Sequence, residues 1–268
     1  MTSIELKSGQ SRNKMADLLR PYYDQQTPVI VKSYARHWKA LKNWQDWDYL
    51  RTQVGHEWIC DVEMDAYNQN PEESAGGRLS IPFESYLDYL TLYREQKRQG
   101  IPDDSPILYL AQNDLPHGLY NDIVLPPFLN ISHPSEPTTG ESSFLGQGKL
   151  YQCMFWMGPP GVKSPLHFDP LDNVLVQISG TKHVALLDRA CPRQYLNVGE
   201  EHGQQENTSA LDIPAILSGE TKFAGDQDGF QFFEGMLEPG DALYIPSKWW
   251  HYVGSPSDFT INVNMWWR

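Results

Sequence analysis

A mainly β domain, a sandwich or jelly roll with α/β elements ahead of it, is the fold that this 268-residue sequence predicts. Three observations predict it. From about residue 150 onward the chain runs through short strand-like segments: "LYQCMFWMGPPG", "NVLVQISG", "KHVALLD", "FQFFEGMLEPGD", "ALYIPSKW", "WHYVGS" and "FTINVNMWW". Gly, Pro and Asp punctuate these segments, as turns between strands require. No helical periodicity intervenes between most of them, so neighbours pair antiparallel rather than through helical crossovers.

The N-terminal part reads differently. Met15, Leu18 and Leu19 fall on one side of a helix expected over 12–22, and Val29, Ile30 and Val31 read as a buried strand. "HWKALKNWQDWDYL" reads as helical packing around Trp38, Leu41, Trp44 and Trp47, and "WICDVEMDAY" as a strand. The turn formers of "NQNPEESAGGR" mark residues 68–78 as a polar loop or lid. The strongest helix is expected over 80–98, with Ser80 capping its start and Pro82 in its first turn. Phe83, Leu87 and Leu90 keep helical spacing along it, and Gly100 ends it. "PILYLAQ" then returns to strand. Residues 1–106 are expected to pack on a β core formed by 107–268, the two making one structural unit, with a polar, irregular insertion over 190–230.

Composition narrows the function classes. A formal net charge of −13 disfavours sequence-blind binding to nucleic acid, which needs Lys and Arg against phosphate. The same charge suits a basic protein or peptide, although acidity also serves solubility. The three cysteines, Cys60, Cys153 and Cys191, are odd in number and widely spaced, which argues against a disulfide framework or a Cys-based zinc site. A reducing compartment, nucleus or cytoplasm, is the expectation. "MTSIELKSGQSRNK" has no apolar core of a secretory signal, and no apolar run is long enough to span a bilayer. The last strand runs up to Arg268, and a monomer is expected.

The chemistry gathers in "SPLHFDPLDNVLVQISGTKH", residues 164–183. His167 and Asp169 differ by two, so on a strand both side chains share a face. His251, in "IPSKWWHYV", is the candidate third ligand from a distant strand. Two histidines and one carboxylate leave three octahedral positions open, the ligand set of non-haem Fe(II) oxygenases. Taken alone, His251 reads as a hydrogen-bonded core histidine and the His-x-Asp pair as chance; the set with its strand pattern favours metal. A dicarboxylate bound deep in a barrel needs a buried cation and hydroxyl donors. Lys182 and Ser164 are candidates to meet its distal carboxylate, with Tyr109 offering a phenol and Asn173 and Asn264 amide hydrogens near the metal end. By itself Lys182 reads as a surface lysine.

These segments, with "GDALYIPSKWWHYV" and "NVNMWW", resemble the JmjC hydroxylases, 2-oxoglutarate oxygenases on a cupin barrel. The likeness is close over the C-terminal half and extends weakly through "PVIVKSYARHWKAL" and "LYLAQNDL". Within the family it is nearest to the small arginyl hydroxylases once described as histone-lysine demethylases. The resemblance implies a double-stranded β-helix that uses Fe(II), 2-oxoglutarate and O2. It implies His167, Asp169 and His251 as iron ligands, and Lys182, Ser164 and Tyr109 on the distal carboxylate of 2-oxoglutarate with Asn173 nearby. Trp156 and Trp266 would line the pocket or substrate channel, and Glu63 would receive a substrate guanidinium. Met265 stands where phenylalanine is common, an exchange expected to alter the pocket. Hydroxylation of a protein arginine is the implied activity. Lysyl or asparaginyl hydroxylation, histone methyl-lysine demethylation and tRNA hydroxylation of the wybutosine type are alternatives within the family. A metal-dependent sugar isomerase or a catalytically silent cupin acting as a binding module are alternatives outside it.

Overall fold

A computed structural model describes residues 1–5, 15–64, 77–101, 106–126, 128–129, 144–199, 204–256 and 259–268. Of the loop expected over 68–78, residues 68–76 with Glu72 and Glu73 lie outside these segments, as do the first three residues of the helix expected over 12–22, and Arg78 opens a strand rather than closing the loop. The N-terminal elements are β1 (Ser3–Glu5), α1 (Met15–Gln25), β2 (Val29–Lys32), α2 (Ala40–Asn43), α3 (Trp47–Val54), β3 (Ile59–Met64), β4 (Arg78–Pro82), α4 (Phe83–Arg98) and β5 (Leu108–Asp114). The barrel strands follow: β6 (Leu150–Gly158), β7 (Lys163–His167), β8 (Asp172–Ser179), β9 (Lys182–Leu187), β10 (Phe233–Leu237), β11 (Ala242–Ile245), β12 (Trp250–Gly254) and β13 (Thr260–Trp267).

Two sheets face each other. The larger has the order β1-β2-β11-β8-β13-β6-β5-β3-β4, the smaller β10-β9-β12-β7. Every pairing is antiparallel except β1 with β2. This is the jelly-roll arrangement expected of the barrel, with strands from both ends of the chain sharing its larger sheet.

The two-residue period of a strand decides what each side chain meets. Along β13, Ile261, Val263, Met265 and Trp267 join the core under the helices, whereas Asn262, Asn264 and Trp266 face the other way. On β6 the same split sends Cys153, Phe155 and Met157 to the helices and Met154 and Trp156 to a separate cluster with Tyr109. Met265 is therefore fully buried on the helix side, on the face of β13 opposite Asn264 and Trp266.

The helical layer is pinned by polar groups inside that core. Trp44 is fully buried, packs edge-on against Phe155, and donates through its indole nitrogen to Asp122 at 2.9 Å. Tyr49 donates to the same carboxylate at 2.9 Å. Tyr86 of α4 donates to the Met157 carbonyl at 2.6 Å and accepts from the Leu110 amide at 3.3 Å, bridging β5 and β6.

The best helix starts later than its sequence pattern suggests. Residues 78–82 pair with β3 as an edge strand, and the Ser80 hydroxyl donates to Asp61 at 2.6 Å instead of capping. Pro82 stands at the N-cap, where its missing N–H costs nothing. The insertion over 190–230 is irregular in backbone but carries its own core: Cys191, Leu196, Ile213 and Phe223 pack against Leu187, Trp250 and Tyr252 of the smaller sheet. A short helix, α5 (Ile213–Leu217), lies within it, started by Asp212 accepting from the Ala215 amide.

Trp44→Ala removes both the indole packing and a donor to a buried carboxylate. Chemical denaturation is expected to show a loss of about 3–5 kcal/mol, as for large-to-small changes at buried aromatics.

Candidate metal centre

The centre is built where β7 and β12 run antiparallel. His251 pairs with His167, and Val253 pairs with Ser164. Between these pairs the single residue Tyr252 on β12 thus opposes two on β7, Pro165 and Leu166, a bulge. Paired residues share a face, and His251 and Val253 share one by the strand period, so the bulge turns both Ser164 and His167 inward despite their odd spacing. Asp169 lies two residues past the end of β7, not on the strand. Its place is set by the chain that follows β11: the Lys248 amide donates to the Asp169 carbonyl at 2.8 Å, and the Ser247 hydroxyl donates to the Pro170 carbonyl at 3.0 Å. Lys248 holds φ of 65°, a left-handed conformation that a non-glycine residue adopts at some cost and that recurs near functional sites.

One ligand atom from each of His167, Asp169 and His251 lies within 4.8 Å of the others, close enough for one ion. Each imidazole is oriented from behind. His167 Nδ1 lies 2.7 Å from the Pro165 carbonyl and His251 Nδ1 lies 3.0 Å from the Trp249 carbonyl. Donation there places the proton on Nδ1 and leaves Nε2 free to ligate. His251 is only 3% exposed, and burial first, then the neighbouring His167, push its imidazole down to about 4. It is therefore neutral at pH 7, the state a metal needs. Asp169 Oδ2 lies 3.7 Å from His251 Nε2 and accepts from the Trp266 indole at 3.1 Å. Two imidazoles and a carboxylate suit a first-row divalent ion.

Deeper in the barrel stands Lys182, 3% exposed. Its described polar partner is the Tyr109 hydroxyl, at 3.2 Å, and no carboxylate is paired with it among the described residues. Burial pushes its ammonium down to about 7. A chain of amides links β13 to β8 in the larger sheet: Asn262 donates to Asn264 at 2.6 Å and Asn264 to Asn173 at 3.3 Å. The chain ends on Asn173 Nδ2, which is buried and without a partner among the described residues, as is the Trp156 indole nitrogen. A buried cation lacking an anion, with buried donors left over, fits an acidic ligand.

A family model described as "Cupin-like domain" matches residues 15–268. The chain belongs to the cupin-like domain family. Its relatives are JmjC proteins. It is 30% identical over 267 residues to "Lysine-specific demethylase JMJ30" of Arabidopsis thaliana, covering 98% of this chain and 54% of that protein. It is 30% identical over 245 residues to "Jumonji C domain-containing protein 5" of Drosophila melanogaster, covering 90% and 54%. "Lysine-specific demethylase 8" of Xenopus tropicalis is 30% identical over 251 residues, covering 92% and 49%. The chain spans about half the length of these relatives.

The remaining residues singled out in this cupin-like domain take up distinct places. Tyr109 sits against Trp156, ring centroids 5.7 Å apart, and Gly158 allows it: a Cβ there would lie 2.7 Å from the Tyr109 ring. Trp266 belongs to the same cluster, but its indole is bonded to Asp169, which makes it a support of a candidate ligand rather than a plain pocket wall. Ser164 faces inward on the strand next to β12, paired with Val253. Glu63 is opposite Tyr109 across β3 and β5, so it reaches the wall of this pocket, and it already has a cation, Arg78, at 3.9 Å. Sequence reasoning missed Arg78, Gly158 and Lys248. A glycine closing a strand was the one signal available for Gly158; the other two carry none. Among the described residues no helix is long and apolar enough to cross a membrane.

Two measurements check this site. Trp266→Phe keeps the ring and loses the bond to Asp169, and metal titration is expected to show about 10- to 100-fold weaker binding, as for loss of an outer partner of a ligand. Lys182 has a folded pKa below its unfolded value, so the unfolded chain binds the extra proton. Between pH about 7 and 10 its contribution makes the ligand-free protein more stable as pH rises, and below about 7 that slope vanishes. Lys182→Met should flatten the slope in denaturation experiments across that window.

Proposed function

We propose that this cupin-like domain is an Fe(II)- and 2-oxoglutarate-dependent dioxygenase that hydroxylates a protein side chain, with arginine the favoured target. The observation that carries the reading is the pairing of two features in one barrel: a His-Asp-His cluster and, deeper in, a buried lysine whose described partner is a phenol. A structural metal site needs no such lysine, and a silent binding module needs neither.

Fe(II) with 2-oxoglutarate, when bound, supplies the activation of O2. In the balanced reaction one oxygen atom enters the substrate C–H bond and the other enters succinate, with release of carbon dioxide. The chain's own residues do the rest. His167, Asp169 and His251 would hold the metal, a three-ligand set that leaves it able to take up further ligands. Lys182, with Tyr109 and Ser164, receives the distal carboxylate, whose charge offsets the cost of burying the ammonium. Asn173 offers its unpartnered Nδ2 near the metal end, oriented by Asn264. Trp156 and Met154 close the wall and keep water out.

The substrate argument starts from charge. A chain of net charge −13 draws a basic segment in. Glu63, on the wall beside Tyr109, is largely buried, and burial raises its carboxyl while a nearby guanidinium lowers it again. A carboxylate that is hard to keep charged without a cation suits arginine, which a fork of N–H donors grips in one orientation. A second reading is demethylation of methyl-lysine, since two of the three relatives named above are called lysine-specific demethylases. It uses the same cluster, with hydroxylation of the N-methyl carbon followed by its loss as formaldehyde.

Incubation with Fe(II), 2-oxoglutarate and a basic peptide library separates the readings by mass spectrometry. Arginine that gains one oxygen supports hydroxylation. Methyl-lysine that loses its methyl groups, with no oxygen retained on arginine, supports the second reading and refutes the first. Succinate formation with neither product points to a different substrate, asparaginyl, lysyl or RNA. Asp169→Ala is expected to abolish succinate formation while the fold persists. Lys182→Ala should weaken 2-oxoglutarate binding by about 3–5 kcal/mol, the cost of removing one member of a buried charge pair.

A further inference from the structure

Arg78, Glu63 and Tyr109 form one row across three strands. Glu63 on β3 is directly opposite Arg78 on β4 and Tyr109 on β5. Val62, the neighbour of Glu63 in sequence, belongs to the core under the helices, so the row lies on the other face, and its Tyr109 end meets Lys182. The Glu63 side chain is 12% exposed and that of Arg78 is 47% exposed. Arg78 therefore reaches inward from an edge strand to a carboxylate that is mostly out of water.

Its hold there is loose. Arg78 Nη2 stands 3.9 Å from Glu63 Oε1 and donates to the Ala111 carbonyl at 3.4 Å. Both contacts use one nitrogen of a group that has five N–H donors. A guanidinium that binds a carboxylate strongly does so through two short parallel bonds, and neither is formed here. Among the described residues Glu63 thus keeps most of its capacity to accept.

We propose that Arg78 is a displaceable internal guanidinium, occupying Glu63 in the free protein, so that a cationic side chain entering the pocket takes Glu63 by expelling Arg78 toward solvent. The inference rests on the reading of Glu63 as the substrate-facing carboxylate. The expulsion is sterically simple, because Arg78 is half exposed and β4 is the last strand of its sheet. It also sets a threshold for entry. A neutral side chain offers Glu63 nothing in exchange for Arg78. A lysine exchanges one point charge for the fork, and only another guanidinium exchanges like for like with better geometry.

The test titrates Nα-acetyl-arginine amide, and the neutral analogue Nα-acetyl-citrulline amide, into the full chain by NMR. The proteins are wild type, Arg78→Ala, Arg78→Lys, Glu63→Gln and the double variant Arg78→Ala/Glu63→Gln. Arg78→Ala should bind the arginine probe about three- to five-fold more tightly than wild type, the range a partly exposed ion pair is worth. Arg78→Lys should fall between them, which keeps the question answerable if the alanine variant folds poorly. Glu63→Gln should erase the gain, and the citrulline probe should bind no better to any variant. Equal or weaker arginine binding to both Arg78 variants overturns the proposal, as does a gain that survives Glu63→Gln. The outcome is separable from that of the function itself. A gain in probe binding without arginine oxidation leaves the displaced guanidinium standing and moves the substrate elsewhere, whereas arginine oxidation without the gain removes only the displacement.

Discussion

His167 and His251 oppose one another across the β7–β12 pair, and the rest of the site depends on that register. Antiparallel pairing brings two imidazoles from positions far apart in sequence to a ring-centroid distance of 4.2 Å. A slip of one residue would turn both to the outer face of the smaller sheet, where Leu166, Trp250 and Tyr252 pack. The bulge beside the pair then brings Ser164 onto the same inner face. Asp169 is held separately, by the left-handed Lys248 amide, so the third candidate ligand does not rely on strand geometry at all.

The interior this register creates is polar where a barrel core is ordinarily apolar. Lys182, Asn173, Asn262 and Asn264 are all buried, and Asn173 Nδ2 and Asn262 Oδ1 have no partner among the described residues. Such groups destabilise the ligand-free fold. The offset comes from the opposite face of the larger sheet, where Trp44, Phe83, Tyr86, Leu87 and Leu90 form an extended core with the apolar halves of β6, β8 and β13. The helices thus contribute the stability that a ligand-binding interior gives up, and Tyr86 ties them to the strands that carry Tyr109 and Trp156.

The alternation of short apolar runs made the barrel strands legible, because each has a face against the helices and a face inward. The candidate ligands were legible too, since His-x-Asp with a distant histidine is a narrow pattern. The stated reason was only half right: Asp169 is past the strand, and a backbone bond from Lys248 does what strand periodicity was expected to do. Ser80 misled because a cap residue and an edge-strand residue look alike until a partner strand is known; Asp61 on β3 decides it. The family resemblance implies a channel position for Trp266, whereas its bond to Asp169 depends on β13 lying beside β8. Arg78 opposite Glu63 was illegible, being a product of pairing between strands whose register no local sequence signal fixes.

The account centres on a three-ligand metal site with open positions facing a buried lysine. Mn(II) titrated into the chain and followed by the relaxation of water protons tests that most directly. The predicted result is one tightly bound ion per chain whose attached water strongly enhances relaxation, with the enhancement falling when 2-oxoglutarate is added and persisting when Lys182→Ala is given the same concentration. A chain that binds no ion, or a bound ion whose water is untouched by 2-oxoglutarate, would contradict it.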